Sequence, residues 1–155
     1  MYIHSFRFIE SKDTSYSVKY NLLTSPDDLK TVADKLRYYR LLKNLKQSDV
    51  AEYIGLDRSI YSGYETASRD YYKPEIMDKI AELFEVDVSL LLDDYAMFIY
   101  NGQGAYIKTL RTKQKISQST LAEMMGVELF KVKQWEQNKR RMFKSTWEKI
   151  TKLDT

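Results

Sequence analysis

The sequence QSDVAEYIGL at residues 47–56 recurs as QSTLAEMMGV at residues 118–127, an offset of 71 residues. In each copy an arginine precedes the glutamine by seven residues and a glutamate follows it by eighteen. Arg40 and Glu65 hold these places in the first copy, and Arg111 and Glu136 hold them in the second. Because the flanking residues stay in register, the repeat predicts two similar small structural units.

Each copy predicts a helix, a tight turn and a second helix. Ala51 and Ala122 are small where the two helices would cross, and Gly55 and Gly126 suit the left-handed backbone that ends the first helix. Asp57 is expected to cap the second helix of the first copy. The repeated unit is therefore expected to be helical, with one apolar and one polar face on its second helix.

Outside the repeat, the sequence predicts a hairpin and further helices. Polar and apolar residues alternate over 15–22, which predicts a β-hairpin within residues 1–24. A helix start is predicted at Ser25, before Pro26. Helices are also expected at 74–84 and 88–100, the second of them capped by Asp87.

This organisation predicts two domains joined by a short linker. The first would cover residues 25–100, the linker would be the NGQG sequence at 101–104, and the second, truncated domain would cover 105–155. The second domain has room for only one helix after its repeat. Its Trp147 and Ile150 therefore need a cover, either the helix ending near Tyr100 or the hairpin.

Composition excludes several classes of function. The 155 residues include no cysteine and one histidine, which excludes disulfides, cysteine nucleophiles and zinc sites built on thiolates or imidazole clusters. No glycine-rich phosphate loop is present. A non-enzymatic protein with no metal and no cofactor is expected. The sequence also lacks a secretory signal and an apolar run long enough for a membrane, so a cytoplasmic location is expected.

Charge is unevenly distributed along the chain. Residues 106–155 carry 12 basic and 5 acidic side chains, whereas residues 1–105 carry 13 basic and 17 acidic ones. This asymmetry favours a polyanionic partner for the C-terminal part, although a solvated basic face would give the same pattern.

The repeated residues resemble the phage-repressor and Cro-like family of helix-turn-helix proteins, also called the XRE family. The resemblance covers residues 35–92 and 107–153. It implies a mainly α fold of two tandem lambda-repressor-like units behind the hairpin. In that family the second helix of the motif enters the DNA major groove. The resemblance therefore implies a sequence-specific double-stranded DNA-binding transcriptional regulator, expected to be a repressor, with recognition helices near 58–65 and 129–136 and half-sites about 34 Å apart.

The resemblance also assigns roles to residues. Base reading is expected from Arg58, Ser59, Ile60, Ser62, Lys131, Lys133 and Gln134. Phosphate contact is expected from Gln47, Gln118, Arg69, Lys139, Arg140, Arg141 and Lys144. The two arginine–glutamate pairs are expected to be internal ion pairs. A solvated helix or loop is the alternative for Arg58 and for residues 139–141. Phe130, where the family is usually polar, is expected to pack against the neighbouring unit, and contact with thymine or a base step is the alternative.

A different class of function fits part of the same sequence. Thirteen tyrosines and a near-neutral first unit suit a protein-binding module, such as an antitoxin-like or inhibitor protein. One unit could also bind DNA while the other forms a homodimer. Salt dependence separates these hypotheses, because phosphate contacts weaken steeply with salt and a tyrosine-centred interface does not.

Overall fold

The computed structural model describes residues 28–154, and within this range the protein consists of nine α-helices and one short 3-10 turn, with no strand. The helices are α1 (Val32–Leu42), α2 (Gln47–Ile54), α3 (Arg58–Glu65), α4 (Pro74–Phe84), α5 (Asp94–Tyr100), α6 (Gln103–Lys113), α7 (Gln118–Met125), α8 (Leu129–Glu136) and α9 (Lys144–Thr151). The mainly helical class is thus confirmed for these residues. The predicted hairpin at 1–24 and the helix start at Ser25 lie outside them. No helix among residues 28–154 has the length and apolarity needed to span a membrane.

The chain divides into two compact units after Leu91, ahead of the predicted linker at 101–104. We call residues 28–91 the first unit and residues 92–154 the second unit. Half of the predicted linker is helical, because Gly102 precedes α6 with a φ of 85° and Gln103 and Gly104 are the first two residues of that helix. Helix α5, expected to end the first domain, instead belongs to the second unit.

The first unit is built on the helix-turn-helix of α2 and α3. Thr31 caps α1 by accepting the amide of Asp34 at 3.1 Å. Gly55 ends α2 in the left-handed conformation, with a φ of 74°, which requires glycine's freedom. Asp57 occupies the N-cap position of α3, but its side chain forms no capping hydrogen bond. Helix α4 spans the predicted residues, from Pro74 to Phe84.

The single helix predicted over 88–100 is two elements in the structure. Asp87 accepts the amide of Ser89 at 2.8 Å, but the 3-10 turn that it caps ends at Leu90. Asp93 then accepts the amide of Ala96 at 2.8 Å and starts α5. A second aspartate cap within the segment therefore replaces a continuous helix.

The second unit repeats the helix bounds of the first. Helices α6, α7 and α8 each begin and end 71 residues after α1, α2 and α3. Gly126 ends α7 with a φ of 64°, as Gly55 ends α2. The interval between helix bounds in the structure is thus the same as the interval between the repeated sequences.

Helix α5 covers the single helix that follows the second repeat. The rings of Tyr95 and Phe98 lie 5.6 Å and 6.2 Å from the ring of Trp147, measured between centroids. These residues and the fully buried Ile150 share one apolar core with α6, α7 and α8. Of the two covers that the sequence left open for Trp147 and Ile150, the structure uses the helix that ends at Tyr100.

Candidate nucleic-acid interface

A buried carboxylate fixes the end of α3, the helix expected to be the first recognition helix. The Glu65 side chain has no exposed surface, and Arg40 binds it with two bonds, Nε to Oε1 at 2.5 Å and Nη2 to Oε2 at 2.9 Å. Arg40 Nη1 also donates to the carbonyl of Leu45 at 2.9 Å. Burial lowers the pKa of Arg40, but the hydrogen bond and charge of Glu65 raise it more, so the guanidinium stays protonated. This bidentate pair ties α1 to the end of α3.

Helix α8, expected to be the second recognition helix, ends in a similar arrangement. Arg111 Nε donates to Glu136 Oε1 at 2.9 Å, and its Nη1 donates to the carbonyl of Ile116 at 3.2 Å. Burial raises the pKa of Glu136, but hydrogen bonds from Arg111 and Gln118 and nearby positive charge bring it below its ordinary value. The carboxylate is therefore ionised at neutral pH, and its pair with Arg111 orients α8 from inside the unit.

The two glutamines expected to contact phosphate already have internal partners. The amide nitrogen of Gln47 donates to Glu65 Oε2 at 2.9 Å, and that of Gln118 donates to Glu136 Oε2 at 2.7 Å. Each glutamine thus completes the same buried cluster as the arginine. The common spacing of eighteen residues between glutamine and glutamate was the signal in the sequence that could have revealed this contact.

The starts of α2 and α7 differ in charge. Asp49, in the first turn of α2, accepts the backbone amide of Lys46 at 2.7 Å. The corresponding residue of α7 is Thr120, and its backbone amide is accepted by the hydroxyl of Ser117 at 3.0 Å. A helix N-terminus attracts anions, but a carboxylate already placed there opposes a second anion. The start of α7 is therefore the better place for a phosphate.

An open cleft of about 450 Å³ joins the start of α7 to the outer face of α8. It is lined by Arg111, Ser117, Gln118, Ser119, Leu129 and Lys133. A residue predicted to contact phosphate and one predicted to read bases therefore border the same cleft. Lys133 is exposed, so its ammonium group gives this cleft a free positive charge on the surface of the recognition helix.

Helix α8 exposes an aromatic residue among its polar ones. Phe130, which was expected to pack against the neighbouring unit, has 61% of its surface exposed among the described residues. The helix buries Val132, Trp135 and Glu136 instead. Residues 130, 133 and 134 follow helical i, i+3, i+4 spacing and therefore share one strip of α8. On this strip, Phe130 lies on the side of the helix away from the buried residues. The predicted base-reading residues Lys131 and Gln134 are half-buried.

Helix α3 has the small residue Ser59 at the position where α8 exposes Phe130. Arg58 and Ser59 are exposed, and Ile60 and Ser62 are half-buried. Gly63 corresponds to Gln134, and a Cβ atom there would lie only 2.9 Å from Cδ of Arg69. The side chain of Arg69 therefore lies over α3 itself, which brings an arginine expected to bind phosphate onto the face expected to read bases.

The segment after α8, residues 137–143, carries three of the predicted phosphate ligands, and we call it the basic loop. Lys139 and Arg140 are exposed, and Arg141 is half-buried with its guanidinium carbon 6.0 Å from the centre of the Phe143 ring. Lys144, just beyond, lies 3.6 Å from a carboxylate oxygen of Asp93. Lys144 is thus partly neutralised, whereas Lys139 and Arg140 face solvent.

Buried hydrogen bonds fix the backbone of the basic loop. Gln103 donates from Nε2 to the carbonyl of Arg140 at 2.5 Å and accepts the amide of Met142 on Oε1 at 2.8 Å. Tyr95 donates its hydroxyl to the carbonyl of Met142 at 2.6 Å. Sequence reasoning missed Gln103, because the surrounding glycines and asparagine favoured a linker. The loop therefore presents its cations from a fixed backbone.

The net charge of the two units has opposite sign. Residues 28–91 contain 10 basic and 12 acidic side chains, and residues 92–154 contain 12 and 7. The balances are −2 and +5. The second unit thus combines the positive balance, the cationic cleft and the fixed basic loop.

Comparison with known proteins identifies one of the two units. A sequence model of the helix-turn-helix family matches residues 36–91, which include the helix-turn-helix of α2 and α3 and helix α4. No curated protein and no solved structure matches the chain. The match supports a helix-turn-helix fold for residues 36–91, and domains of this type occur in DNA-binding transcription regulators.

Proposed function

We propose that this protein is a sequence-specific regulator that binds double-stranded DNA and represses transcription by occupying its operator. Both α3 and α8 would serve as recognition helices, with residues 92–154 acting as a second helix-turn-helix unit. The family match supports this role for the first unit. The equal helix bounds of α6–α8 and α1–α3 support it for the second.

The observation that carries the proposal is the shared cleft at the start of α7 and α8. Gln118 and Ser119 at the helix N-terminus and Lys133 on α8 border the same space. A phosphate at the N-terminus would fix the register of the duplex, and side chains of α8 would then reach base edges in the groove. The exposed cations of the basic loop lie on the same unit and would contact further phosphates.

Selection of duplexes from a random pool by the full chain, followed by footprinting, tests the proposal. We expect one enriched sequence family and protection of its site. Changing Lys131→Ala together with Lys133→Ala should weaken binding to the selected duplex by at least about tenfold, because each good base contact contributes about 1–3 kcal/mol. Placing the selected site across a promoter should lower reporter expression when the protein is present.

Lys149→Ala is the matched control, because it also removes an exposed lysine from the second unit but lies on α9. Its affinity for the selected duplex should stay within about twofold of the unaltered chain, as for a charge without a specific contact. Failure to enrich any sequence would contradict the proposal. Equal effects of the α8 and α9 changes would remove α8 from base reading.

One observation favours a protein-binding role for the first unit alone. Its helix α2 begins with the carboxylate of Asp49, and Leu42, Tyr53 and Leu90 are each more than 40% exposed. An antitoxin-like or inhibitor module would present such a surface to a protein partner. In that case footprinting would show one half-site, and Arg58→Ala would leave DNA affinity unchanged.

A further inference from the structure

Hydrogen bonds from polar side chains of α8 to DNA would not explain the presence of Phe130 on this helix. It exposes 61% of its surface, whereas its counterpart in the first unit is the small polar residue Ser59. A large aromatic side chain in water contributes nothing to the stability of the free protein. A ligand group that covers Phe130 would account for its exposed surface.

The position of Phe130 restricts what it can meet. It is the second residue of α8, and the N-terminal part of a recognition helix is the part that approaches base edges. On the same outward strip, one helical turn later, lie Lys133 and Gln134. Leu129, beside Phe130, borders the cleft that also contains Gln118. Any group that contacts Phe130 would therefore lie next to groups suited to bases and phosphate.

The major groove offers one prominent apolar group, the C5 methyl of thymine. We infer that Phe130 contacts the C5 methyl group of a thymine, so that the second unit selects thymine over other bases at one or two positions of its half-site. This inference rests on the proposed function, since it concerns the same recognition helix. It adds a specificity determinant that the predicted polar residues do not provide.

Charge favours DNA over a protein partner at this position. Lys133 lies on the same strip as Phe130, Lys131 follows Phe130 in the sequence, and the second unit has a balance of +5. A second copy docking through this face would bring like charges together, which opposes association. A duplex would bring phosphates to the lysines and a methyl group to the phenylalanine at the same time.

Deoxyuridine tests the inference because it lacks only the methyl group of thymine. The full chain would be titrated with the selected duplex and with duplexes in which each thymine in turn is replaced by deoxyuridine. We expect one or two replacements to weaken binding by about fivefold, the effect of one buried methyl group, and the others to have no effect. Phe130→Ser should weaken binding to the thymine duplex and abolish the difference between the thymine and deoxyuridine forms.

Met124→Ser is the matched control, because Met124 is 50% exposed and lies in the same unit but belongs to α7 rather than to α8 or the basic loop. This variant should keep the full preference for thymine. The inference is overturned if no deoxyuridine duplex binds more weakly, or if Phe130→Ser retains the preference. If Phe130 instead wedges between base pairs, no deoxyuridine duplex would bind more weakly. Phe130→Ser would then bend DNA less than the unaltered chain does. If the unaltered chain enriches no duplex, the proposed function itself fails.

Discussion

Glu65 and Glu136 each hold an arginine and a glutamine from other helices. Hydrogen bonds from Arg111 and Gln118 outweigh the burial of Glu136 and lower its pKa below the ordinary value. A carboxylate with a lower pKa in the folded protein stabilises the fold above its unfolded pKa. That contribution is lost as the pH falls through the folded value.

Glu136→Gln should therefore change how the stability of the second unit depends on pH. At pH 7 we expect the free energy of unfolding to fall by about 1–3 kcal/mol, since the charged pair with Arg111 is lost. As the pH falls below the ordinary carboxylate value of 4.5, the difference between Glu136→Gln and the unaltered chain should shrink. The two tryptophans, Trp135 and Trp147, both lie in the second unit, so urea unfolding followed by tryptophan fluorescence measures this unit.

Asp154→Asn provides a control for this pH dependence. A hydrogen bond from Lys113 lowers the pKa of Asp154, but this carboxylate lies at the surface, where screening weakens ion pairs. Its loss should therefore have little effect on stability at any pH. A Glu136→Gln deficit that stays constant from pH 7 to pH 3 would show that the ionised carboxylate is not what stabilises α8.

The sequence predicted the arginine partner of each carboxylate, but it did not predict the glutamine partner. The register of arginine and glutamate gave the expected pairs, because equal spacing on helices places side chains at equal positions. Gln47 and Gln118 were assigned to phosphate because the family role depends on position alone, whereas their internal bond depends on a carboxylate eighteen residues away. Phe130 was expected to pack against the neighbouring unit, with a thymine or base-step contact as the alternative, and the structure leaves 61% of its surface exposed.

At the scale of elements, the link between the start of α6 and the basic loop distinguishes the second unit. Besides the bonds of Gln103, the amide of Gly104 donates to Asn138 Oδ1 at 2.9 Å, and a Cβ at Gly104 would lie only 2.3 Å from the carbonyl oxygen of Glu136. The first unit has Val32 and Ala33 at these positions, which cannot make the same contacts. The basic loop thus depends on residues that the first unit lacks.

Gln103→Val, which copies the residue of the first unit, should loosen the basic loop. It leaves the carbonyl of Arg140 and the amide of Met142 without their buried partner, which costs about 1–3 kcal/mol for each such group. We expect trypsin to cut after Lys139, Arg140 and Arg141 at least about tenfold faster, because local opening precedes cleavage. Mass spectrometry of the fragments gives the rate at each site.

Cleavage after Arg69 in the first unit serves as the internal control in the same digest. Its rate should not change, since the side-chain hydrogen bonds of Gln103 within residues 28–154 all join residues of the second unit. Uniformly faster cleavage at Arg69 and in the basic loop would indicate general unfolding. Unchanged cleavage in the loop would show that Tyr95 and the backbone alone hold it.

The predictability of the elements follows from how local their signals are. Helix α4 was predicted from Pro74 to Phe84 because its apolar spacing and its proline are both local. The sequence offered the helix ending near Tyr100 as one of two covers for Trp147 but did not choose between them, because the contact of Tyr95 and Phe98 with that tryptophan spans about fifty residues. Residues 101–104 were interpreted as a linker on composition, whereas their glycines allow a tight turn and a close helix contact.

At the scale of the whole molecule, charge separates the two units more clearly than fold does. Their first three helices have matching bounds, but residues 28–91 have a balance of −2 and residues 92–154 a balance of +5. Phosphate contacts determine how steeply DNA binding weakens with salt. The salt dependence of the full chain should therefore come mainly from the second unit.

Removing two loop cations from each unit tests this asymmetry. The logarithm of the DNA-binding constant should fall linearly with the logarithm of salt concentration, and Lys139→Ala with Arg140→Ala should reduce that slope by about 2, roughly one for each lost phosphate contact. Arg69→Ala with Lys73→Ala removes the same charge from the loop after α3 and should change the slope by less than about 0.5. Titrations of the selected duplex at several salt concentrations measure both. Equal reductions would show that the two units contact phosphate equally, and the asymmetry of charge would then have no counterpart in binding.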